Sequence, residues 1–257
     1  MSTTRRSPCP QCDRGPKDTA LAVTTDARGT VSFCHRCGFT EANNATARST
    51  LPPIVPAKAA KQRWSNLAEL LWRRSQPLRG SIAERYLLGR HCVLPPEDGD
   101  LRFLPVSGKF PAAMLARVTD AVTGEPMTLH FTHLSSSAEK LDRILQPGHQ
   151  KKGGVIRLWP DEAVTQGLAI AEGIETALSA AHIYMPVWST IDAGNMAALP
   201  ALTGVSALTI FADHDKAGVA AAKACAATWR GAGKDVQIYV PEIAGADLND
   251  VVREVAA

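Results

Sequence analysis

Two sets of residues in this chain are of the types that bind cations. The first is acidic. Glu172 ends the apolar run LAIA (168–171), and Asp213 and Asp215 end the run ALTIFA (207–212). Carboxylates gathered at the ends of buried strands are costly unless cations neutralise them, so a divalent-metal site is the expected chemistry. In an extended segment residues two apart project to one side, so Asp213 and Asp215 can face one ion. The second set is Cys9 and Cys12 in CPQC and Cys34 and Cys37 in CHRC, with a 21-residue insert between the pairs. Two C-x2-C knuckles set four thiolates at the corners of a tetrahedron, the pattern of a structural Zn²⁺ site. His35 lies between two of these ligands, but four cysteines suffice, so it is expected to be exposed.

Both acidic runs are short, apolar and followed by a small-residue turn and an Ala-rich helical pattern. Such runs read as strands buried on both faces of a parallel sheet. Ligands of open α/β sheets gather beyond the carboxyl ends of strands, where the strand order reverses. PVWSTIDAGN supplies a further strand with a turn at Asp192–Asn195, and DVQIYVP another. ADLNDVVREVAA makes a final helix with Asp247 and Asp250 at its start. This β-α alternation over residues 161–257 predicts a small doubly wound parallel sheet. Cys92 and Cys225 stand apart from the other thiols and are expected in the core.

The remaining chain divides by composition into a ribbon (1–42), a linker (43–63) and a middle unit (64–160). In the ribbon, LAVTT, a turn at DARG and TVSF predict a hairpin between the knuckles, and Gly38 suits a tight turn. The ribbon has too little apolar sequence to fold well without metal. Arg5, Arg6, Arg14, Lys17, Arg28 and Arg36 surround it, which suits nucleic-acid phosphates; a purely structural or protein-docking ribbon is the alternative. The linker is rich in Ala and Pro.

The middle unit should be α+β. WSNLAELLWRR predicts a helix ended by Pro77 and Gly80, and SIAERYLLGR a second, with Ser81 as cap and Glu84 completing a capping box. MLARVTD and PMTLHFTHL read as a hairpin, in which His130 and His133 face opposite sides and make a poor metal pair. Lys151 and Lys152 precede a Gly-Gly pair; basic residues at a Gly-rich turn can approach phosphates closely, although a solvated turn reads the same way.

Charge is unevenly spread along the 257 residues. Residues 1–63 carry 10 Lys/Arg against 4 Asp/Glu, residues 64–160 carry 13 against 9, and residues 161–257 carry 5 against 12. A basic front and an acidic back suit a protein that holds a polyanion with one part and metals with another. No apolar run approaches a membrane span and the first residues lack a signal-peptide core. A cytoplasmic, nucleoid-associated protein with reduced cysteines is expected.

AEGIETALSA, followed about forty residues later by FADHDKAG, resembles the Toprim domain of bacterial-type primases, topoisomerases and some nucleases. With the four-cysteine ribbon and the LRFLP and GGVIRL stretches, the chain is most similar to the Toprim primases of phages, plasmids and integrated elements. The resemblance implies that Glu172 is the signature glutamate, a metal ligand or proton-transfer group, and that Asp213 and Asp215 are the metal-binding pair. The family's next acid falls at Thr176, with Glu175 one residue earlier; whether Glu175 takes its place as a metal ligand is open. A late G-x-D-x-[DN] segment matches GADLND, offering Asp247 with Asn249 or Asp250.

The implied chemistry is nucleotidyl transfer, in which one or two Mg²⁺ or Mn²⁺ ions bridge a nucleoside triphosphate and assist a 3′-hydroxyl. Arg143, Lys151, Lys152 and Arg157 would neutralise triphosphate or template charge, and the ribbon would grip single-stranded DNA. The product would be short RNA primers. No G-x4-GK-[ST] motif occurs, so an unwinding helicase is expected to be a separate partner. A non-catalytic recombination mediator that clamps DNA and a Toprim nuclease are the alternatives. With three tyrosines and little spare chain, a topoisomerase is disfavoured.

Overall fold

The computed structural model describes residues 3–12, 15–16, 18–27, 29–35, 37–44, 64–108 and 110–256. Arg14, Lys17, Arg28, Arg36 and most of the expected linker lie outside these. Two units divide at residues 58 and 59.

In the first unit, β1 (Thr3–Ser7), β2 (Leu21–Asp26), β3 (Gly29–Cys34) and β4 (Thr40–Asn44) form an antiparallel sheet in that order. The expected hairpin is β2–β3, with Leu21 opposite Cys34. Leu21 and Val23 alternate inward and pack on Cys9 and Cys34. The outer strands, TTRRS and TEANN, are polar and show no periodic signal, and β1 is exposed along most of its length. Their pairing rests on backbone hydrogen bonds. Arg5 and Arg6 sit exposed on β1.

The second unit opens with α1 (Asn66–Arg74) and α2 (Ile82–Gly89). Ser65 caps α1 by accepting from the Ala68 N–H at 3.1 Å. Ser81 caps α2, accepting from Ala83 and Glu84. The Glu84 carboxylate accepts from the Gly80 N–H at 2.6 Å, one residue before the cap, so the expected capping box closes one step early. An antiparallel sheet follows: β5 (Leu101–Leu104), β6 (Ala112–Asp120), β7 (Pro126–Leu134) and β8 (Lys140–Leu145), in that order, with β9 (Gly154–Val155) pairing on β6. Ala113, Leu115, Leu129 and Phe131 turn one face toward Trp64, Ala68 and Trp72 of the α1 segment.

Met114, Ala116 and Val118 on the other face share a single core with Ala169, Ala171, Leu178 and Phe211. This apolar core therefore runs across residue 160. Ile156 and Leu158 are fully buried in it, each contributing roughly 1.5–3 kcal/mol.

The C-terminal part contains β10 (Gly167–Ala171), α3 (Ile174–Ala180), β11 (Val187–Ser189), α4 (Ala193–Ala197), β12 (Ala207–Phe211), α5 (Lys216–Gly231), β13 (Asp235–Tyr239) and α6 (Leu248–Val255). The strands are parallel in the order β11-β10-β12-β13. This is the doubly wound α/β sheet expected from the alternation. The order reverses between β10 and β12, whose last residues, Ala171 and Phe211, are paired. Glu172 and the Asp213 loop therefore leave the sheet side by side at the switch point. Cys92 and Cys225 are buried, and burial pushes each thiol up to about 12.

Candidate metal centres and the acidic cleft

The four cysteine sulfurs lie within 4.8 Å of one another. Cys9 and Cys37 are 3.7 Å apart, as are Cys12 and Cys34. A tetrahedron with Zn–S bonds of about 2.3 Å has edges of about 3.8 Å, so the cluster fits one zinc ion. Gly38 turns the second knuckle with φ +81° and donates its N–H to Cys34 O at 3.0 Å. A side chain there would be strained. His35 is exposed and stacks edge-on against Phe33.

The acids are assembled differently, from separate chain segments. Beyond β10, Glu172 is half-buried and Gly173 starts α3. Beyond β12, Asp213 is half-buried while Asp215 is exposed, its Oδ1 accepting from the Gly218 N–H at 2.6 Å as cap of α5. Gly218 is required here, since a Cβ would stand 2.6 Å from the Asp213 carbonyl oxygen. Asp247 is drawn in by backbone bonds: His214 N–H donates to Ala246 O at 2.9 Å, and Gly245 N–H to His214 O at 2.8 Å. Asp247 and Asp250 cap α6 reciprocally. Asn249 is fully buried and donates to Arg90 O at 2.8 Å and Ser179 Oγ at 2.9 Å. Of the late acids, Asp247 alone borders the cleft; Asn249 and Asp250 hold the helix.

Glu172, Asp213 and Asp247 line a cleft of about 130 Å³, together with Arg90, Lys140 and Arg143. Its electrostatics are those of an incomplete site. Burial, with Glu172, Asp247 and Asp215 nearby, pushes the Asp213 carboxyl up to about 7. Burial, Asp192 and Asp215 raise Glu172, against a hydrogen bond from the Ala193 backbone. Asp213 Oδ1 is buried without a hydrogen-bond partner, and so is Arg90 Nε. Unpartnered groups of this kind each cost about 1–3 kcal/mol. A hard divalent cation suits an all-carboxylate donor set, so these residues fit one. No three carboxylates of the cleft gather as tightly as the thiols: among the described residues, only the cysteines bring three or more ligand atoms within 4.8 Å of one another.

Glu175 and Thr176 are both buried and both line the cleft. Glu175 Oε1 accepts from Tyr86 Oη at 2.5 Å and from Lys140 Nζ at 3.3 Å. Burial alone would raise this carboxyl, but the Lys140 charge and the Tyr86 hydroxyl outweigh it and the net direction is down.

The expected phosphate-binding residues separate. Arg143 reaches the cleft. Lys152 is exposed outside it, and Lys151 forms a 2.5 Å ion pair with Asp192, the cap of α4. Arg157, expected at the phosphates, is buried elsewhere. It is 7% exposed, and its guanidinium bonds Asp161 Oδ1, Thr119 Oγ1 and the carbonyls of Asp120 and Ala121 over the Trp188 ring. With its donors spent inside the fold, it is a packing residue. His130 and His133 do face opposite ways: burial lowers His130 to about 4, while His133 pairs with Asp142.

Arg90, Lys140, Tyr86 and Asp192 are not signalled by spacing. Lys140 reaches the cleft through a bulge: Leu134 pairs with Lys140 and His133 with Asp142, leaving Leu141 extra. One extra residue turns Lys140 to the side that Arg143 occupies.

Residues 167–257 match the family model of the Toprim domain, and residues 62–155 that of a domain of unknown function, DUF7146. No curated protein sequence matches the chain. Among solved structures, the zinc-binding and RNA polymerase domains of Aquifex aeolicus primase align over 98% of this chain and 75% of their own, at 15% identity and a TM-score of 0.50. The primase fragment of the bacteriophage T7 primase-helicase protein aligns over 97% of this chain and 94% of its own, at 16% identity and 0.47. At 15% identity the likeness to the Aquifex aeolicus domains is one of fold alone. The parallel sheet and acidic rim that carry Glu172, Asp213 and Asp247 are therefore those of a Toprim domain, preceded in the same chain by a four-cysteine ribbon and a mixed α/β unit.

Proposed function

We propose that the protein is a DNA primase, joining ribonucleotides into short RNA primers on single-stranded DNA. The observation that carries this is the mixed cleft, where Glu172, Asp213 and Asp247 meet Arg90, Lys140 and Arg143 at the sheet's switch point. Its acids suit cations and its bases suit phosphates. Mg²⁺ or Mn²⁺, when bound, supplies charge neutralisation of a triphosphate and activation of the attacking 3′-hydroxyl.

The chain's own residues would divide the work. Asp213, with its unpartnered oxygen, and Glu172 would hold cations, with Asp247 and Asp215 completing their surroundings. Arg143 would steady the phosphates, and Lys151 and Lys152 would meet template or triphosphate from the neighbouring loop. Cys9, Cys12, Cys34 and Cys37 would hold one structural Zn²⁺, and the ribbon, with Arg5 and Arg6, would grip the single strand. A separate helicase would supply that strand, in replication of a phage, plasmid or integrated element. Among the described residues no helix is long and apolar enough to cross a membrane.

The test is to supply single-stranded DNA, labelled ribonucleoside triphosphates and Mg²⁺ or Mn²⁺. Short RNA is expected from the natural chain and none from Asp213→Ala/Asp215→Ala. Shortened DNA instead would assign a nuclease, and binding without reaction a DNA clamp.

A further inference from the structure

Glu175 lies three residues after Glu172, in the cleft, and is a carboxylate; a metal ligand is the obvious role. Its surroundings assign it another. The side chain is 6% exposed, and its Oε1 is already shared between the Tyr86 hydroxyl at 2.5 Å and Lys140 Nζ at 3.3 Å. Tyr86 is itself 4% exposed, and its ring lies 5.9 Å beneath the Arg90 guanidinium. One buried pair, Tyr86 from α2 and Glu175 from α3, thus touches two of the three cations of the cleft. Lys140 reaches it only through the Leu141 bulge, and no other ion pair to Lys140 is formed among the described residues.

We infer that Glu175 and Tyr86 are positioning residues that fix Lys140 and Arg90 as a rigid anion-binding pair for the substrate's phosphates, and that Glu175 is not a metal ligand. This rests on the nucleotidyl-transfer reading and adds the groups that hold its substrate. The physical reason is preorganisation. A free lysine loses rotamer entropy on meeting a phosphate, whereas one already tethered by a single donor keeps two N–H groups to offer. A planar guanidinium over an aromatic ring is likewise held in orientation. The ammonium also neutralises the buried carboxylate, so the pair adds little net charge to the cleft.

Binding of a fluorescent ribonucleoside triphosphate separates the two roles. It is measured on the zinc-loaded full chain without added divalent cation, beside a Mn²⁺ titration followed by electron paramagnetic resonance. Lys140→Met should weaken nucleotide binding about tenfold, a loss of about 1.4 kcal/mol. Glu175→Gln and Tyr86→Phe should each weaken it severalfold, and Glu175→Gln/Lys140→Met no more than Lys140→Met alone. Mn²⁺ affinity should stay within twofold in Tyr86→Phe and Glu175→Gln. Glu175→Asp should restore part of the nucleotide affinity. Tyr86→Phe removes only a hydroxyl, so it stands if Glu175→Gln does not fold. Tighter nucleotide binding in Glu175→Gln, additive losses in the double variant, or lost Mn²⁺ binding with nucleotide binding intact would each overturn the inference. Those results would leave nucleotidyl transfer standing; a natural chain that binds no triphosphate would remove both.

Discussion

The chain holds two candidate metal sites built on opposite terms. In the ribbon, four ligands come from one short segment, and their sulfurs already stand at the spacing of a tetrahedron. In the cleft, the ligands come from three turns, no three of their oxygens lie within 4.8 Å of one another, and one oxygen is unpartnered. Protonated thiols are neutral and pack together; carboxylates repel until a cation arrives. Burial and its acidic neighbours already raise Asp213 to about 7. The first site is therefore expected to hold its ion as part of the fold, and the second to take and release ions during work.

Removing the ribbon's metal should have the largest effect. Structural zinc contributes about 10–16 kcal/mol of apparent binding energy in small zinc units, so Cys9→Ser or chelation should unfold the ribbon sheet β1–β4. Metal analysis should find about one zinc per chain, and limited proteolysis of the zinc-free protein should digest the ribbon while the second unit, from α1 to α6, resists. Equal protection of both units without zinc would erase the distinction drawn between the sites.

In the cleft, Asp213→Asn should reduce Mn²⁺ affinity and primer synthesis at least about 100-fold. It should leave zinc content unchanged. Next in size, Gly218→Ala forces a Cβ to within 2.6 Å of the Asp213 carbonyl and should cost about 1–3 kcal/mol of stability, read by chemical denaturation. A similar loss, about 1–3 kcal/mol, is expected for Arg157→Met with nucleotide affinity retained, because its hydrogen bonds lie within the fold.

The smallest effect is on pH dependence. Without divalent cations, folded Asp213 keeps its proton up to about 7, whereas an unfolded aspartate loses it near 3.8. Between those values the folded state binds more protons, so rising pH favours unfolding. Stability should therefore fall from about pH 4 to pH 7 more steeply in the natural chain than in Asp213→Asn. Added Mg²⁺ should flatten the difference. Thermal melts across that range, with and without Mg²⁺, make the comparison.

How much of this is legible in the sequence follows the same divide. The four-cysteine site, the β2–β3 hairpin, both middle helices, the β6–β7 hairpin and the parallel sheet all follow from local spacing and periodicity, because each is decided within a few residues. Strand β8 gives no such signal, because its charged, exposed sequence KLDRIL lacks a buried face. Arg90 and Lys140 give none either, because the end of α2 and a strand bulge bring them to the cleft, and Tyr86 is tied to it through Glu175. Arg157 misleads: an arginine beside an apolar run looks free until Thr119, Asp120 and Ala121, far away in sequence, take its donors. Asp247 is reached through family resemblance; its approach to Asp213 depends on backbone bonds through His214, which no pattern encodes.

If the acidic cleft, and not the ribbon, holds the working cations, a Mn²⁺ titration of the zinc-loaded chain, followed by electron paramagnetic resonance, will show it. Saturable Mn²⁺ binding is expected at pH 8, weakening below about pH 7 and lost in Asp213→Asn with zinc retained. Undiminished Mn²⁺ binding in Asp213→Asn would contradict it.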